Sequence, residues 1–269
     1  RMRRLLRTAA LHTVCESANC PNRGECFASG TATFLLMGDT CTRSCTFCNI
    51  RGGRVSALDP DEPGRVAAAV DHLGLDFAVI TSVTRDDLPD GGATHIAATV
   101  EAIGEAVPGC GVEVLIPDLR GDPDALATVF AAAPDVLNHN LETVPRLYPS
   151  LRPQASYACS LGVLRAAREW SDAHGGAMRV KTGIMVGVGE TLDEVRDLMR
   201  EAVDHGVQVL TIGQYLQPSA AHHPVDRWVE PEEFQALAAA CRDLGLTWVE
   251  AGPLVRSSYH ARQQSEALG

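Results

Sequence analysis

From about residue 33 onward, the chain alternates short apolar runs with longer amphipathic stretches, and this alternation restricts its fold most. The short runs predict β-strands, and apolar residues three and four positions apart predict helices. Repeated strand–helix units predict a parallel sheet, because a parallel strand needs a long crossover to return to the same edge. The predicted strands are Thr33–Met37, Phe77–Ser82, Gly111–Ile116, Asp135–His139, Arg179–Val186, Val207–Tyr215 and Trp248–Val255. The predicted helices lie near 62–73, 92–106, 122–132, 157–173, 191–205 and 231–244.

Periodicity alone leaves three arrangements of these units open: a closed barrel, a partial barrel and a flat doubly wound sheet. Five unusual residues each end or follow a predicted strand, namely Cys41, Thr81, Asn138, Gly187 and Gln214. Because the carboxyl ends of parallel strands share one edge, we expect these residues to gather where such folds keep their sites. Residues 1–30 lack the strand–helix pattern and predict an appended N-terminal layer.

Length and composition are those of an ordinary soluble globular protein. The 269 residues, 45% hydrophobic and 21% charged, could form one large α/β barrel or two smaller domains, and we expect one domain. A formal net charge of −11 argues against nonspecific nucleic-acid binding, which usually needs a basic surplus. No apolar run approaches the roughly 20 residues of a membrane span. We therefore expect a cytoplasmic protein, or an organelle-matrix protein after removal of a targeting segment, that binds neither nucleic acid nor membrane.

The cysteines indicate metal or redox chemistry. Nine is an odd number, and six of the nine fall between Cys15 and Cys48, which a secreted disulfide framework explains poorly. Cys41, Cys45 and Cys48 form a C-x3-C-x2-C loop shortly after the first predicted strand. Three thiolates spaced in this way can hold three corners of a 4Fe–4S cluster and leave the fourth iron open for chemistry. The alternative, a zinc knuckle, normally needs four protein ligands.

A second triplet, Cys15, Cys20 and Cys26, has the wider spacing C-x4-C-x5-C. This spacing, with a proline and a glycine between the last two cysteines, predicts a turn-rich loop around a second cluster. A zinc site completed by His12, or buried free thiols, are the alternatives. The remaining cysteines are isolated, and we interpret them as small buried hydrophobes.

Together the two triplets resemble the pattern of the lipoyl synthase family, within the radical S-adenosylmethionine superfamily. Further matching stretches run from about residue 10 to 260, namely Cys20-Pro-Asn, Gly30-Thr-Ala-Thr-Phe, Arg85-Asp-Asp-Leu-Pro-Asp-Gly-Gly, Asn138-His-Asn-Leu-Glu-Thr, Gly213-Gln-Tyr-Leu-Gln-Pro and Arg256-Ser-Ser-Tyr. The resemblance implies an α/β fold of the (β/α)6 partial TIM barrel type over residues 31–255. It adds an auxiliary-cluster segment at 1–30 and a C-terminal tail at 256–269 that folds over the barrel mouth.

The resemblance also assigns roles to side chains. The implied ligands are Cys41, Cys45 and Cys48 for the catalytic radical cluster, and Cys15, Cys20, Cys26 and the hydroxyl of Ser258 for the auxiliary cluster. Serine binds iron more weakly than thiolate does, which suits a cluster that gives up its sulfur. From sequence alone, Ser257 and Ser258 would be helix caps or turn residues. The implied contacts of S-adenosylmethionine are Phe47, Thr81, Ser82, Asn138, Asn140, Glu142, Lys181, Gln214 and Leu216.

The stretch Gly183-Ile-Met-Val-Gly-Val-Gly-Glu resembles the motif with which this superfamily supports adenosine. Glycines let a backbone approach a flat ring closely. The alternative is a plain strand-to-helix turn capped by Thr191. Lys181 has two interpretations: its ammonium pairs with a carboxylate, or its head lies in solvent.

Two further pairs are interpreted as loop residues. Asp86 and Asp87 are assigned to loop architecture or carrier docking, because radical hydrogen abstraction needs no general base. His222 and His223, which precede a proline, are assigned to a loop.

The implied reaction is a sulfur transfer that places two sulfur atoms at C6 and C8 of a protein-bound octanoyl-lysine. No side chain can deprotonate such carbons, so a radical borne by a cofactor must open them. The implied cofactors are two 4Fe–4S clusters and S-adenosylmethionine, two equivalents per product. The implied partners are octanoylated lipoyl carrier domains (2-oxoacid dehydrogenase E2, glycine cleavage H protein), a low-potential electron donor such as flavodoxin or ferredoxin, and an iron–sulfur cluster carrier.

Two other classes compete with this interpretation. Another sulfur-inserting or methylthio-transferring radical enzyme would share Cys41, Cys45 and Cys48 but space its auxiliary cysteines differently, and the motif at 256–259 argues against it. A noncatalytic two-cluster electron carrier would need neither an open iron nor an adenosine motif, and the sequence has signals for both.

Overall fold

The structure is a computed structural model, and it describes Ala9 and residues 11–18, 20–28 and 33–266. The chain divides into two compact units. The first unit comprises Arg1–Ser44 and Asn49–Asp135, and the second comprises Cys45–Cys48 and Val136–Gly269. Residues 30–32, the start of the Gly30 motif, lie outside the described residues.

The strands of the first unit are β1 (His12–Thr13), β2 (Thr33–Leu36), β3 (Thr40–Cys41), β4 (Arg51–Gly52), β5 (Phe77–Ser82) and β6 (Gly111–Leu115). β5 pairs in parallel with β2 on one side and with β6 on the other, while β1 runs antiparallel to β2. β2 and β5 are apolar on both faces, as strands covered on both sides are. β3 and β4 form a separate parallel pair beside the first cysteine loop.

The helices of the first unit are α1 (Val14–Ser17), α2 (Arg23–Ala28), α3 (Glu62–Leu73), α4 (Ala93–Ala106) and α5 (Pro123–Ala131). Local signals explain where they begin and end. α5 begins with a proline, and the carboxylate of Asp122 accepts the backbone N–H groups of Asp124 and Ala125. α3 ends at Leu73 and is capped by Gly74, which adopts the left-handed conformation at φ 63°.

The second unit contains four parallel strands in sequential order, β7 (Val136–Asn138), β8 (Arg179–Val186), β9 (Val209–Gln214) and β10 (Trp248–Gly252). Its helices are α6 (Tyr148–Leu151), α7 (Tyr157–Ala173), α8 (Leu192–Asp204), α9 (Pro231–Asp243) and α10 (Ala261–Glu266). Thr191 and Glu194 form a capping box at the start of α8, so the predicted cap is confirmed.

The predicted elements agree with those observed. The seven predicted strands and six predicted helices are all present, most with ends shifted by no more than two residues. β1 was not predicted, because two residues are too short for a period to show. The division into segments at residues 30 and 255 stays a prediction. Among the described residues, no helix is both long enough and apolar enough to cross a membrane.

Candidate functional site

Cys41 ends the short strand β3, and its sulfur accepts two backbone N–H groups. The nitrogen of Arg43 lies 3.4 Å and that of Thr84 lies 3.3 Å from the Cys41 Sγ. These hydrogen bonds hold the sulfur in place, and cysteine sulfur is the ligand that iron–sulfur clusters use. The nine cysteines are in the thiol form rather than in disulfides, as ligation requires. The donor chemistry of this loop therefore fits an iron–sulfur cluster.

Arg43, two residues after Cys41, fixes this loop within the first unit through a buried ion-pair network. Its guanidinium donates to both oxygens of Asp118, at 2.7 Å each, and to both oxygens of Asp86, at 2.7 and 3.0 Å. Burial by itself lowers the pKa of Arg43, but the hydrogen bonds to Asp118 and Asp86 outweigh it and raise that pKa. The roles of Arg43 and Asp118 could not be predicted from the sequence, because a lone arginine or aspartate carries no spacing signal.

Arg85 and Asp87 form a second pair in the loop after β5, which also carries Asp86. Arg85 is 2% exposed and donates to both oxygens of Asp87 at 2.8 Å. The hydrogen bond from Arg85 holds the pKa of the Asp87 carboxyl below its usual range. Asp86 and Asp87 thus both contribute to loop architecture, one of the two roles predicted for them.

The second cysteine triplet lies in the first unit, around α1 and α2. Cys15 is buried, whereas Cys20 and Cys26 are half-buried. Burial raises the pKa of Cys15, with a further rise from the charge of Cys20. Burial, then the charges of Cys15 and Cys20, raise the pKa of Cys26 to about 11. The charges of neighbouring cysteines thus oppose the ionisation of Cys15 and Cys26, and positive charge such as that of iron would favour their thiolate forms.

The thiols of the second triplet thus interact with one another electrostatically. The donor set fits a cluster held by three cysteines. Among the residues that the structure describes, no three His, Cys, Asp or Glu side chains are arranged to hold a single metal ion.

Cys45 and Cys48 belong to the second unit, where the segment between them is held from two directions. The backbone N–H and the hydroxyl of Thr46 donate to the carbonyls of Leu151 and Ser150, at 3.0 and 2.9 Å. In addition, the carbonyl of Thr46 accepts the backbone N–H of His223 at 2.9 Å. Phe47, the predicted neighbour of adenine, lies half-buried in this segment.

Thr81 and Ser82 end β5, as predicted. The hydroxyl of Thr81 donates to the carbonyl of Leu115 at 2.8 Å, so it can offer a ligand only its acceptor lone pairs. The hydroxyl of Ser82 is buried and has no hydrogen-bond partner among the described residues. Their predicted contact with the methionyl group of S-adenosylmethionine stays a prediction.

Asn140 and Glu142 lie together after β7. The amide of Asn140 donates to the Glu142 carboxylate at 3.1 Å, and Arg152 donates to the carbonyl of Asn140 at 3.1 Å. Burial raises the pKa of Glu142, an effect that the charge of Arg152 and the hydrogen bond from Asn140 only partly offset. Glu142 also has a positive φ of 66°, and its backbone bonds to Gly183 and Met185 on β8. A strained, desolvated carboxylate of this kind is typical of a functional position.

Two glycines of the Gly183 motif leave room for neighbouring side chains. A Cβ at Gly183 would lie 2.6 Å from the Thr211 hydroxyl and 2.8 Å from the side-chain amide oxygen (Oδ1) of Asn140. At Gly187, where φ is 91°, a Cβ would lie 2.3 Å from the Gln214 amide nitrogen. The motif's last residue, Glu190, accepts the N–H groups of Gly187 and its neighbour Val188 at 2.7 and 2.9 Å. The turn after β8 is thus stabilised by hydrogen bonds from its backbone N–H groups to Glu190, in addition to the freedom that its glycines provide.

The amide of Gln214 is fully engaged at the end of β9. It donates to the carbonyls of Arg227 and Tyr215 at 3.1 Å and accepts the N–H of Val229 at 2.9 Å. Leu216, two residues further on, is half-buried. Gln214 therefore holds residues 227–229 against the strand end, a role that sequence analysis missed.

Asn138 and Lys181 are paired in register on β7 and β8, and each is at most 1% exposed. Burial of the lysine contradicts the interpretation in which its head lies in solvent. That interpretation was wrong because β8 is covered on both faces, so alternate residues do not reach water.

Ser258 lies in a turn that follows β10 and precedes α10. The backbone N–H of Tyr259 donates to Arg256 O at 2.9 Å, and the Gln264 amide donates to Tyr259 O at 2.7 Å. Tyr259 also stacks on His260, with ring centroids 3.8 Å apart. The serine is half-buried within this braced turn. Its predicted ligation of the auxiliary cluster stays a prediction.

Comparison with curated proteins shows strong similarity along nearly the whole chain. Lipoyl synthase of Rubrobacter xylanophilus is 54% identical over 261 residues, covering 97% of this chain and 80% of the relative. Lipoyl synthase of Nitratidesulfovibrio vulgaris strain Hildenborough is 53% identical, covering 99% and 87%. Lipoyl synthase of Mycobacterium tuberculosis is 53% identical over 260 residues, covering 97% and 82%.

The Radical SAM superfamily matches residues 35–202. Among solved structures, HydG, a maturase of the FeFe-hydrogenase, covers 88% of this chain and 54% of its own at 16% identity, with a TM-score of 0.63. Methylornithine synthase covers 93% and 77% at 14% identity, with a TM-score of 0.58. At such identities the likeness concerns the fold alone. With the parallel strands of both units, it confirms the predicted α/β partial barrel.

Proposed function

The chain belongs to the lipoyl synthase family of the radical S-adenosylmethionine superfamily, and we infer that it inserts two sulfur atoms, at C6 and C8, into a protein-bound octanoyl-lysine. One observation carries this inference: identity of 53–54% to curated lipoyl synthases over 97% or more of the chain. The activity is a sulfur transfer that uses S-adenosylmethionine and iron–sulfur clusters.

The residues assigned to the two clusters follow from the family pattern and are supported by their donor chemistry. Cys41, Cys45 and Cys48 would hold the radical cluster. Cys15, Cys20, Cys26 and Ser258 would hold the auxiliary cluster. When bound, the clusters and S-adenosylmethionine supply the radical that opens unactivated C–H bonds and the sulfur that replaces the hydrogens.

The protein's own residues then orient and shield the bound groups. Backbone N–H groups of Arg43 and Thr84 donate to the Cys41 sulfur and would hold it in position as a cluster ligand. The Glu142 carboxylate, beside Asn140, is suited to accept hydrogen bonds from the ribose hydroxyls. Because Glu142 is desolvated, such bonds would form in a low dielectric, where they are strong.

The partners we propose are octanoylated lipoyl carrier domains. We also propose flavodoxin or ferredoxin as the electron donor, together with an iron–sulfur cluster carrier. Membership of the family is the only support for these further partners. The cytoplasm is the compartment we propose, on the same basis.

The test is a sulfur-transfer assay with matched serine variants. The protein would be reconstituted anaerobically and incubated with S-adenosylmethionine, a strong reductant and an octanoyl-lysine peptide, with products followed by mass spectrometry. We expect about eight irons per chain, for two cubane clusters, and a peptide that gains two sulfurs. Ser258→Ala should abolish sulfur transfer while deoxyadenosine still forms, whereas the adjacent Ser257→Ala should keep both.

Cys20→Ala and Cys159→Ala form a second matched pair, since only the first removes a proposed ligand. Deoxyadenosine without any thiolated peptide from the wild-type protein would mean that the substrate is wrong, although the radical chemistry would stand. Equal sulfur transfer by Ser258→Ala and the wild type would remove Ser258 from the auxiliary site.

A further inference from the structure

Two consecutive histidines in the second unit contact the segment that carries the last two cysteines of the first loop. The imidazole Nε2 of His222 lies 3.2 Å from the carbonyl oxygen of Cys48. The backbone N–H of His223 donates to the carbonyl of Thr46 at 2.9 Å. We call residues 217–223, which bring the two histidines there, the histidine strap.

The protonation pattern of His222 follows from its partners. A carbonyl oxygen can only accept, so the His222 Nε2 must carry the proton and donate it to Cys48. The other ring nitrogen, Nδ1, lies 2.8 Å from the Ser219 hydroxyl, which can donate to it. The contact with Ser219 therefore fixes the orientation in which the ring points at Cys48.

The strap is itself held on several sides. The amide of Gln217 donates to the carbonyl of His222 at 3.0 Å, and the Tyr215 hydroxyl donates to the carbonyl of His223 at 2.7 Å. The N–H of His222 also donates to the carbonyl of Ser219 at 3.0 Å. A loop with this many hydrogen bonds has little conformational freedom. The positions of its histidines are therefore set by protein contacts, without any bound cofactor.

His223 extends the connection to the turn after β8. Its Nε2 lies 3.1 Å from the carbonyl of Val188, so this nitrogen also donates. The N–H of Val188 donates to the carboxylate of Glu190, in the stretch that resembles the superfamily's adenosine-supporting motif. The carbonyls of Thr46, Cys48 and Val188 are thus tied to two adjacent residues of one loop.

We propose that His222 and His223 are positioning residues that set the location of Cys48 relative to the Val188 turn, and thereby the location of the radical cluster relative to the adenosine. The proposal rests on the assignment of Cys48 to the radical cluster in the proposed function. Neither histidine touches the reacting atoms. Radical transfer needs its donor and acceptor in a narrow geometry, because a displacement of about 1 Å from a distant change can cost two orders of magnitude in rate.

The variants at His222 differ in whether their side-chain N–H group can reach the carbonyl oxygen of Cys48. In His222→Gln, the side-chain nitrogen occupies roughly the place of Nε2 and can still donate to Cys48. In His222→Asn, the shorter side chain cannot reach that carbonyl. His72→Ala, an exposed position at the end of α3, is the control.

Two measurements decide the proposal. Amide hydrogen exchange of residues 45–48 in the reconstituted protein reports how firmly the segment is held, and we expect it to be about tenfold faster in His222→Asn than in the wild type. The change that S-adenosylmethionine causes in the electron paramagnetic resonance spectrum of the reduced cluster reports the cluster's geometry. We expect this change to be reduced or lost in His222→Asn and restored in His222→Gln.

Equal exchange and equal spectra for His222→Asn and His72→Ala would overturn the proposal, and so would failure of His222→Gln to restore either. If the wild-type spectrum does not respond to S-adenosylmethionine, the proposed function of this loop is wrong. The exchange data would then still decide whether His222 holds the segment.

Discussion

The guanidinium of Arg43 and the carboxylate of Asp118 face each other through two hydrogen bonds of 2.7 Å, with both residues buried. Removing one partner of a buried pair leaves the other charge poorly compensated, at a cost of about 3–5 kcal/mol. We expect Asp118→Ala to lower the free energy of unfolding by an amount near the lower end of that range, since Asp86 still contacts Arg43. Urea denaturation under anaerobic conditions measures it.

The control for this prediction is an exposed ion pair on α8. Asp197 pairs with Arg200 on the helix surface, where an ion pair contributes about 0–1 kcal/mol. Asp197→Ala should therefore shift stability by less than about 0.5 kcal/mol. If the two aspartate variants lose equal stability, the Arg43 network does not hold the first cysteine loop.

Glu142→Gln should stabilise the protein at neutral pH while lowering its activity. Burial raises the pKa of Glu142, so the folded state binds this proton more tightly than the unfolded chain. Wild-type stability should therefore fall as pH rises from the ordinary carboxyl range through the raised pKa, by about 1.4 kcal/mol for each unit of elevation. Glutamine carries no such charge. The unfolding free energy of Glu142→Gln should therefore exceed that of the wild type by more at pH 8 than at pH 5.

The activity half of this prediction is measured by deoxyadenosine formation. Glutamine keeps an oxygen for the Asn140 amide but loses the anionic acceptor proposed for the ribose hydroxyls. A variant that is less stable than the wild type at pH 8 would contradict the desolvation argument. An unchanged rate at low S-adenosylmethionine concentration would contradict the ribose contact.

Gly183→Ala should weaken cofactor binding, because the new methyl group takes space that the Asn140 and Thr211 side chains occupy. The new Cβ would lie 2.8 Å from the side-chain oxygen of Asn140 and 2.6 Å from that of Thr211, and Cβ atoms in proteins do not approach other atoms so closely. The Asn140 side chain must therefore move. We expect overpacking to cost about 1–3 kcal/mol of stability and to raise the KM for S-adenosylmethionine. Thermal unfolding and steady-state kinetics measure the two effects.

Gly162→Ala provides the opposite case for comparison. Gly162 lies within α7, and a Cβ there would meet no atom within 4 Å. Alanine in a helix interior is favoured over glycine by about 0.5–1 kcal/mol, so this variant should be more stable and equally active. A loss of stability comparable to that of Gly183→Ala would contradict the packing explanation.

Gln214→Leu tests the amide that joins the end of β9 to residues 227–229. Leucine fills similar space but leaves the carbonyl of Arg227 and the N–H of Val229 without their partner. Each buried group left unpaired costs about 1–3 kcal/mol, so we expect a loss of about 2 kcal/mol or more. Exchange of the Val229 amide should rise in parallel. Unchanged exchange there would show that Gln214 does not hold this loop.

Much of the fold could be predicted from the sequence because hydrophobic period is a local property. Phe77–Ser82, Arg179–Val186 and the helix at 157–173 were predicted with the observed bounds. β1 was missed because its two residues pair with a strand about twenty positions away, and a local window does not contain that information. The buried Lys181 was left open for the same reason: whether its head meets water depends on what covers the strand.

The sequence by itself determined the expected chemistry of this protein. Binding of an iron–sulfur cluster depends on the presence and the spacing of cysteines, and the two triplets of cysteines can be identified from the sequence alone. Only the tertiary structure decided how those loops are held. The Arg43 network brings together residues up to 75 positions apart, and the His222 contact with Cys48 spans 174 positions. Such contacts form when separate strand–helix units pack, and no local pattern records them.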